Sequence, residues 1–241
     1  MNTRTGNIEL NGLPIEILYK DIKNVHLSVH PPIGRVTVSA PFDMNPDTVR
    51  LFCISKLGWI RKQQAKLLGQ ERESPRQYLN RESHYFLGER YLLKIVERDA
   101  VPSVSLKHGT LELHVRPGST REQKDEILQA WYRERLREIA LPIVSKLEAM
   151  MKVKASELRI RTMKTRWGTC STESKRIWLN TELAKKSAEC IEYVVTHEMV
   201  HLLERNHNQQ FLAHMDSLIP NWKHVRGELN RLALGYGGWE C

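Results

Sequence analysis

Two histidines one helical turn apart form the clearest chemical pattern in the chain. Residues 194–203 read Val-Val-Thr-His-Glu-Met-Val-His-Leu-Leu, so His197 and His201 are the ends of an H-E-x-x-H motif. On an α-helix this spacing puts both imidazoles on one face, where they can bind the same metal ion. Glu198, next to the first histidine, can reach a metal-bound water without binding the metal, which is the position of a general base. The apolar residues around the motif favour a buried helix.

A catalytic zinc site needs a third protein ligand. The downstream candidates are Glu204, His207, His214, His224 and Glu228. Glu204 lies seven residues after the first histidine, about 10 Å along a helix axis, and ligands strung along one straight helix cannot converge on a tetrahedral ion. Asn206 offers a turn, because asparagine tolerates the left-handed conformation that ends helices. We therefore predict His207 as the third ligand, with His214 and Glu228 as alternatives.

A second cluster of reactive and aromatic residues lies upstream. It reads Lys-Thr-Arg-Trp-Gly-Thr-Cys-Ser over 164–171 and Ile-Trp-Leu-Asn over 177–180. One interpretation is a basic hairpin that turns at Gly168 and buries both tryptophans in the core. The other is that Lys164 or Arg166 offers positive charge to an anionic substrate group or a developing oxyanion. Composition alone favours the first interpretation, and Arg166 is kept as a candidate substrate-binding residue.

The elements that must position these residues are predicted from hydrophobic periodicity. The first 45 residues are strand-rich, with segments 25–29 and 36–39 around a predicted turn at 31–34. A helix is predicted from Asp47 to about Leu68, followed by a polar linker over 69–84. Further elements are predicted as strands over 91–96, 111–115, 158–162 and 176–179, and as helices over 120–152, 188–205, 209–218 and 221–234. Pro142 is expected to kink or split the long helix.

Composition sets the broad class of the protein. The chain has 241 residues, of which 41% are hydrophobic and 27% charged, as in ordinary soluble domains. No apolar run approaches the roughly 20 residues that span a bilayer, and the N-terminus has no apolar signal-peptide region, so we expect a cytoplasmic protein and no membrane partner. The four cysteines form no C-x-x-C pair, which argues against a zinc ribbon or a disulfide framework. A net charge of +9 favours anionic partners such as nucleic acid or nucleotides.

Several short motifs follow one another along the chain. They are R-W-G-T-C at 166–170, I-W-L-N at 177–180, Y-V-V-T-H-E-M-V-H at 193–201, N-H at 206–207, Phe211 and P-N-W at 220–222. In this order they resemble the YgjP-like metallopeptidase domain family, which is similar to the SprT-like and WLM metallopeptidases of the zincin class. A looser likeness takes in A-P at 40–41 and K-L-G-W-I at 56–60. The resemblance implies a zinc site of His197, His201 and His207 with Glu198 as base, on a minimal zincin core.

These observations predict an α+β zinc metallohydrolase. A β-rich N-terminal region over 1–118 is expected to pack on a zincin-like metallopeptidase domain over 119–241, built from a small sheet, a backing helix and the active-site helix. One Zn²⁺ per chain and a water activated by Glu198 are expected to hydrolyse a peptide bond of a peptide or protein substrate. The strand at 176–179 is predicted to pair with the extended substrate backbone.

Two alternative functions remain open at this point. Lys164, Arg166 and the net charge of +9 favour metal-dependent hydrolysis of a nucleotide phosphoanhydride, whereas the absence of a P-loop and of carboxylate clusters for magnesium disfavours it. The second alternative is a DNA-associated binding module with a vestigial metal site, whose basic surface meets nucleic acid. The chain has no helix-turn-helix, zinc-finger or RNA-binding signature, which disfavours this alternative.

Overall fold

Three small sheets and six α-helices build the described chain as an α+β fold. This computed structural model describes residues 4–30, 34–68, 76–163 and 166–231. The described residues form two compact units, one over 4–68 and one over 76–231. The predicted α+β class is confirmed, and eight of the eleven described strands precede residue 118, as expected of a β-rich N-terminal half.

The first unit is a four-stranded sheet with two helices. Its elements are β1 (Arg4–Leu10), β2 (Leu13–Lys20), β3 (His26–His30), β4 (Arg35–Pro41), α1 (Pro46–Ser55) and α2 (Leu57–Leu68). The strand order is β1-β2-β4-β3, and β3 pairs antiparallel with β4 as the sequence predicts, although residues 31–33 of the turn lie outside the described residues. A single helix is predicted over 47–68, but the structure has two. The first helix ends because the backbone N–H of Lys56 donates to the carbonyls of Cys53 and Ile54.

The second unit begins with another four-stranded sheet. Its strands are β5 (Ser83–Phe86), β6 (Glu89–Glu97), β7 (Ser103–Lys107) and β8 (Thr110–Val115), in the order β5-β6-β8-β7. Of the linker predicted over 69–84, residues 69–75 lie outside the described residues and the last two belong to β5. Residues 76–118, which we assigned to the N-terminal region, thus belong to the second unit. The domain division at residue 118 and the packing of the N-terminal region stay predictions.

The long helix α3 (Arg121–Met151) is the backing helix of this unit. A capping box begins it, because the Thr120 side chain accepts from the Gln123 N–H and the Gln123 side chain accepts from the Thr120 N–H. One stripe of residues about four apart is buried: Leu128, Tyr132, Leu136, Ala140, Val144 and Leu147. Of the two outcomes predicted for Pro142, the split is wrong, because the helix continues through this residue, and the kink stays a prediction. Pro142 lies on the exposed face, where water can reach the carbonyl that loses its donor.

A three-stranded sheet, a 3-10 helix and three α-helices complete the second unit. They are β9 (Glu157–Arg161), β10 (Gly168–Ser171), β11 (Arg176–Asn180), a 3-10 helix (Thr181–Lys185), α4 (Ala188–Val200), α5 (Gln209–Leu218) and α6 (Trp222–Arg231). The strand order is β10-β11-β9, so β11 is paired on both sides. The prediction that this strand pairs with substrate is therefore wrong, and β10 is an edge strand. In the described parts of the chain, every helix is too short or too polar to span a bilayer.

Candidate metal centre

Three imidazoles meet at the C-terminal end of α4. His197 lies in its last turn, His201 caps it, and His207 follows in the segment that leads to α5. One ring nitrogen of each lies within 4.8 Å of the other two, and Nε2 of His197 is 3.0 Å from Nε2 of His207. Two nitrogens bound to one tetrahedral zinc ion at about 2.0–2.1 Å lie about 3.3 Å apart. The structure thus brings together the three predicted histidines in a group of the size that zinc needs.

The sequence around α4 determines where the helix begins and ends. The Ser187 side chain accepts from the N–H of Cys190 at 3.3 Å and caps its start. The helix ends at Val200, not near residue 205 as predicted. The chain then forms a tighter turn, in which the N–H of Leu203 donates to the carbonyl of Val200, three residues before it, at 2.9 Å. Asn206 does not adopt the left-handed conformation that we predicted for the turn. The early end and these tight turns bring His207 back towards the other two histidines.

Neighbouring groups orient the three rings. Nδ1 of His201 donates to the carbonyl of Glu204 at 3.0 Å, which leaves its Nε2 as the nitrogen with the free lone pair. The ring of Phe211, which is 1% exposed, lies 4.6 Å from the ring of His207 and 4.9 Å from each of the other two histidine rings. Phe211 therefore supports all three imidazoles from one side and restricts their rotation. It was noticed in the sequence only as part of the family resemblance.

Burial keeps these imidazoles neutral. Desolvation, helped by the two neighbouring histidines and by the charge of Arg226, lowers the pKa of His197 to about 2. Desolvation also lowers the pKa of His201 and, although His207 is the most exposed of the three, the pKa of that residue. A neutral imidazole is the form that binds a metal ion, so the chemistry of the donor set fits zinc. Sequence reasoning did not single out Arg226, which lies on α6.

Glu198, the residue after the first of these histidines, has its side chain in a closely packed environment. Its side chain is 2% exposed, and burial raises its pKa to about 8, while the positive charge of Arg166 acts in the opposite direction. Gly168, the first residue of β10, lies directly against it: a Cβ on Gly168 would be 2.7 Å from Cγ and from Oε1 of Glu198. The sequence predicts a turn at Gly168, and this is wrong. The glycine is instead the point where the strand approaches the helix.

The basic cluster upstream is only partly as predicted. Arg166 is exposed, and it lies close enough to Glu198 for its positive charge to lower the pKa of that carboxyl. Lys164 lies outside the described residues. Trp167 is buried as predicted, but Trp178 is partly exposed, and the guanidinium groups of Arg159 and Arg161 lie 5.2 Å and 4.2 Å from the centre of its ring.

The other candidate ligands do not join the group of three histidines. His214 lies on α5, outside the group. On α6, Nε2 of His224 is 3.6 Å from Oε1 of Glu228, so these two residues pair with each other. The carboxylate of Glu204 accepts from the side-chain amide of Asn208 at 3.0 Å. The structure therefore groups His207, and none of these residues, with His197 and His201, and which residue is the third ligand stays a prediction.

Comparison with known proteins adds an independent observation. A family model described as YgjP-like, metallopeptidase domain, matches residues 23–232. No curated protein matches the chain in sequence.

Among solved structures, crystal structures of two metallopeptidase zymogens are similar to part of the chain, Pyrococcus abyssi abylysin and Methanocaldococcus jannaschii jannalysin. Each is 18% identical; the matches cover 37% and 39% of this chain and 90% and 92% of theirs, with TM-scores of 0.35 and 0.34.

Proposed function

The chain belongs to the YgjP-like metallopeptidase domain family, and we propose from this premise that it is a zinc-dependent peptidase. His197, His201 and His207 hold one Zn²⁺, and Glu198 is the general base. The observation that carries the proposal is the combination of three neutral imidazoles within 4.8 Å of one another with a buried carboxylate on the adjacent residue. Three protein ligands leave the fourth position of a tetrahedral zinc ion open for catalysis.

Glu198 moves the protons of the reaction. Bound zinc acts as a Lewis acid, which makes a water molecule more acidic and polarises the carbonyl of the scissile bond. The Glu198 carboxylate takes the proton of the attacking water and delivers it to the departing amine. Burial raises the pKa of this carboxyl to about 8 in the metal-free chain, and the positive charge of Arg166 opposes the rise. A bound cation would oppose it further and so favour the ionised form that a base needs. Close packing against Gly168 restricts the directions in which the carboxylate can turn.

The edge strand β10 is the element on which we propose that the substrate lies. It pairs antiparallel with β11 on one side, and its first residue contacts Glu198. An extended peptide can add to such an edge through backbone hydrogen bonds. The scissile bond of that peptide then lies near the histidines. Arg166, two residues before the strand, is available to bind a carbonyl oxygen or an acidic side chain of the substrate.

Cleavage of peptides by zinc-loaded protein tests this proposal. The zinc-loaded protein and the same protein stripped with a chelator are given a peptide library and a panel of nucleoside triphosphates in parallel. We expect cleaved peptides from the zinc-loaded form only, with activity restored when zinc is added back. Release of phosphate or pyrophosphate by the loaded form, with every peptide intact, would overturn the proposal in favour of nucleotide hydrolysis.

A further inference from the structure

The side chain of Asn180, the last residue of β11, is a fully buried and fully hydrogen-bonded amide. Its exposed fraction is 0%. Oδ1 accepts from the N–H of Met163 and the N–H of Glu182, both at 3.2 Å. Nδ2 donates to the carbonyl of Met163 at 2.9 Å and to the carbonyl of Arg166 at 2.8 Å. All four hydrogen-bonding positions of the amide are therefore used.

These bonds hold the chain where it enters the edge strand. Besides the side-chain bonds, the backbone N–H of Asn180 donates to the carbonyl of Trp167 at 2.8 Å. The carbonyls of two consecutive residues, Arg166 and Trp167, are thus fixed by one asparagine. The next residue is Gly168, which lies against Glu198. None of these hydrogen bonds joins Asn180 to Glu198, so the influence of Asn180 on the site passes through this backbone.

Aspartate, glutamine and alanine cannot replace this amide. Aspartate has the same shape but offers only acceptors, so two carbonyls would face an oxygen in place of a donor. Glutamine is longer by one methylene and does not fit a closely packed site. Alanine removes all four bonds and leaves buried backbone groups without partners. The bonding pattern therefore requires both a donor and an acceptor at this position, which a purely apolar core residue does not supply.

We propose that Asn180 is a positioning residue of the peptidase site. It fixes the backbone of Arg166 and Trp167, and through this backbone it sets where the Arg166 side chain meets the substrate. The inference rests on the proposed function, because it assigns a role in binding the substrate at that same site. It adds a residue that neither the metal ligands nor the general base includes.

Asn180→Asp tests the proposal with Ile177→Val as the matched control. Ile177 is fully buried on the same strand and lies opposite Cys170, not opposite the residues 163–167 that Asn180 holds, so its truncation costs stability without removing any of the bonds of Asn180. Both variants are loaded with zinc and assayed for zinc content, melting temperature, and kcat and KM on a peptide that the native protein cleaves. We expect Asn180→Asp to retain zinc and to lose about 10- to 100-fold in kcat/KM, chiefly through KM, because misplaced substrate contacts are costly. Ile177→Val is expected to keep native kinetics well below its melting temperature.

A double-mutant cycle with Arg166→Ala shows whether Asn180 acts through this arginine. We expect the double variant to be no worse than Arg166→Ala alone, since each change disables the same contact. Effects that multiply, or native kcat/KM in folded Asn180→Asp, would overturn the proposal. Should Asn180→Asp fail to fold, Asn180→Ala, which introduces no buried charge, takes its place in the same cycle.

Hydrogen exchange separates failure of this inference from failure of the proposed function. The backbone amides of residues 166–171 are expected to exchange faster in Asn180→Asp than in the native protein or in Ile177→Val. If these amides exchange faster in Asn180→Asp but the native protein cleaves no peptide, the peptidase function is refuted, while the role of Asn180 in fixing this backbone is supported. Unchanged exchange would overturn the positioning role, whatever the native protein cleaves.

Discussion

Gly168 lies so close to the side chain of Glu198 that residue 168 has no room for a side chain larger than hydrogen. A Cβ built on Gly168 would be 2.7 Å from Cγ and Oε1 of Glu198 and 3.0 Å from Cδ. Gly168, which begins the edge strand β10, is therefore in direct contact with Glu198, which follows His197. Because Glu198 is buried, its carboxylate cannot move aside into solvent. The position of the proposed general base depends on the absence of a side chain at residue 168.

Gly168→Ala is expected to displace the Glu198 carboxylate and to lower kcat by about 100-fold, because a shift of about 1 Å in a catalytic group has a cost of this size. Zinc content should stay native, since the three histidines are not touched. Steady-state kinetics and elemental analysis measure the two quantities. Gly227→Ala is the matched control: its Cβ would meet nothing within 4 Å on α6, so activity should be native. Native kcat in Gly168→Ala would contradict this account of the contact.

Phe211→Ala is expected to weaken zinc binding, because the ring supports all three imidazoles. We expect zinc affinity to fall about 10- to 100-fold and the stability of the zinc-free protein to fall by about 3–5 kcal/mol. Competition with a chelating dye and urea unfolding measure these effects. Leu229→Ala, which removes a buried side chain on α6, should cost stability while keeping the native zinc affinity. Equal loss of affinity in both variants would mean that Phe211 acts only through stability.

The third metal ligand is tested by comparing two histidines. His207→Ala should lose most of the one zinc ion expected per chain, whereas His214→Ala should keep it, because His214 lies outside the group of three. His207 is exposed, so its replacement should leave the melting temperature of the zinc-free protein almost unchanged. Elemental analysis after removal of loosely bound metal gives the answer. The opposite result, with zinc lost only in His214→Ala, would show that the assignment is wrong.

Glu112 predicts a pH dependence of stability in the second unit. Hydrogen bonds from the Lys94 and Lys107 ammonium groups hold the pKa of its carboxyl at about 2, below the unfolded value of about 4.3. A lowered pKa means that the unfolded chain binds the proton first, so this contribution to stability is complete above about pH 4.5 and is lost as the pH falls towards 2.

Glu112→Gln should therefore unfold more easily than the native protein at neutral pH, and the difference should shrink between about pH 4.5 and 2. Urea unfolding of both proteins across this range measures it. A difference that stays constant, or that grows as the pH falls, would contradict the assigned ion pairs.

The histidine pair was predictable from the sequence because the four-residue spacing within an apolar segment determines both the helix and its shared face. The structure groups His207 with this pair, and its role as third ligand stays a prediction, but the reason given for it is partly wrong. The chain does have to turn back, but it does so by ending α4 at Val200 and not through a left-handed Asn206. The apolar residues 202 and 203 continue the helical pattern, so periodicity alone cannot show that end.

Strand β10 and its contact with Glu198 were not predictable in the same way. Gly-Thr-Cys-Ser has no alternation of apolar and polar residues, and a glycine followed by small polar residues is typical of a turn. What makes it a strand is its pairing with β11, and what gives Gly168 its role is a residue 30 positions further along the chain. Likewise, the four bonds of Asn180 join segments that only the folded chain brings together.

The most direct test of the central claim is the turnover of Glu198→Gln compared with the native protein, both loaded with one zinc ion and given the same cleavable peptide. Glutamine keeps the shape of the side chain but cannot take up the proton of the attacking water. The account predicts native zinc content, a native fold by circular dichroism, and kcat lower by about 10²- to 10⁴-fold. A zinc-loaded, folded Glu198→Gln that cleaves the peptide at a rate comparable to the native protein would contradict the assignment of Glu198 as general base.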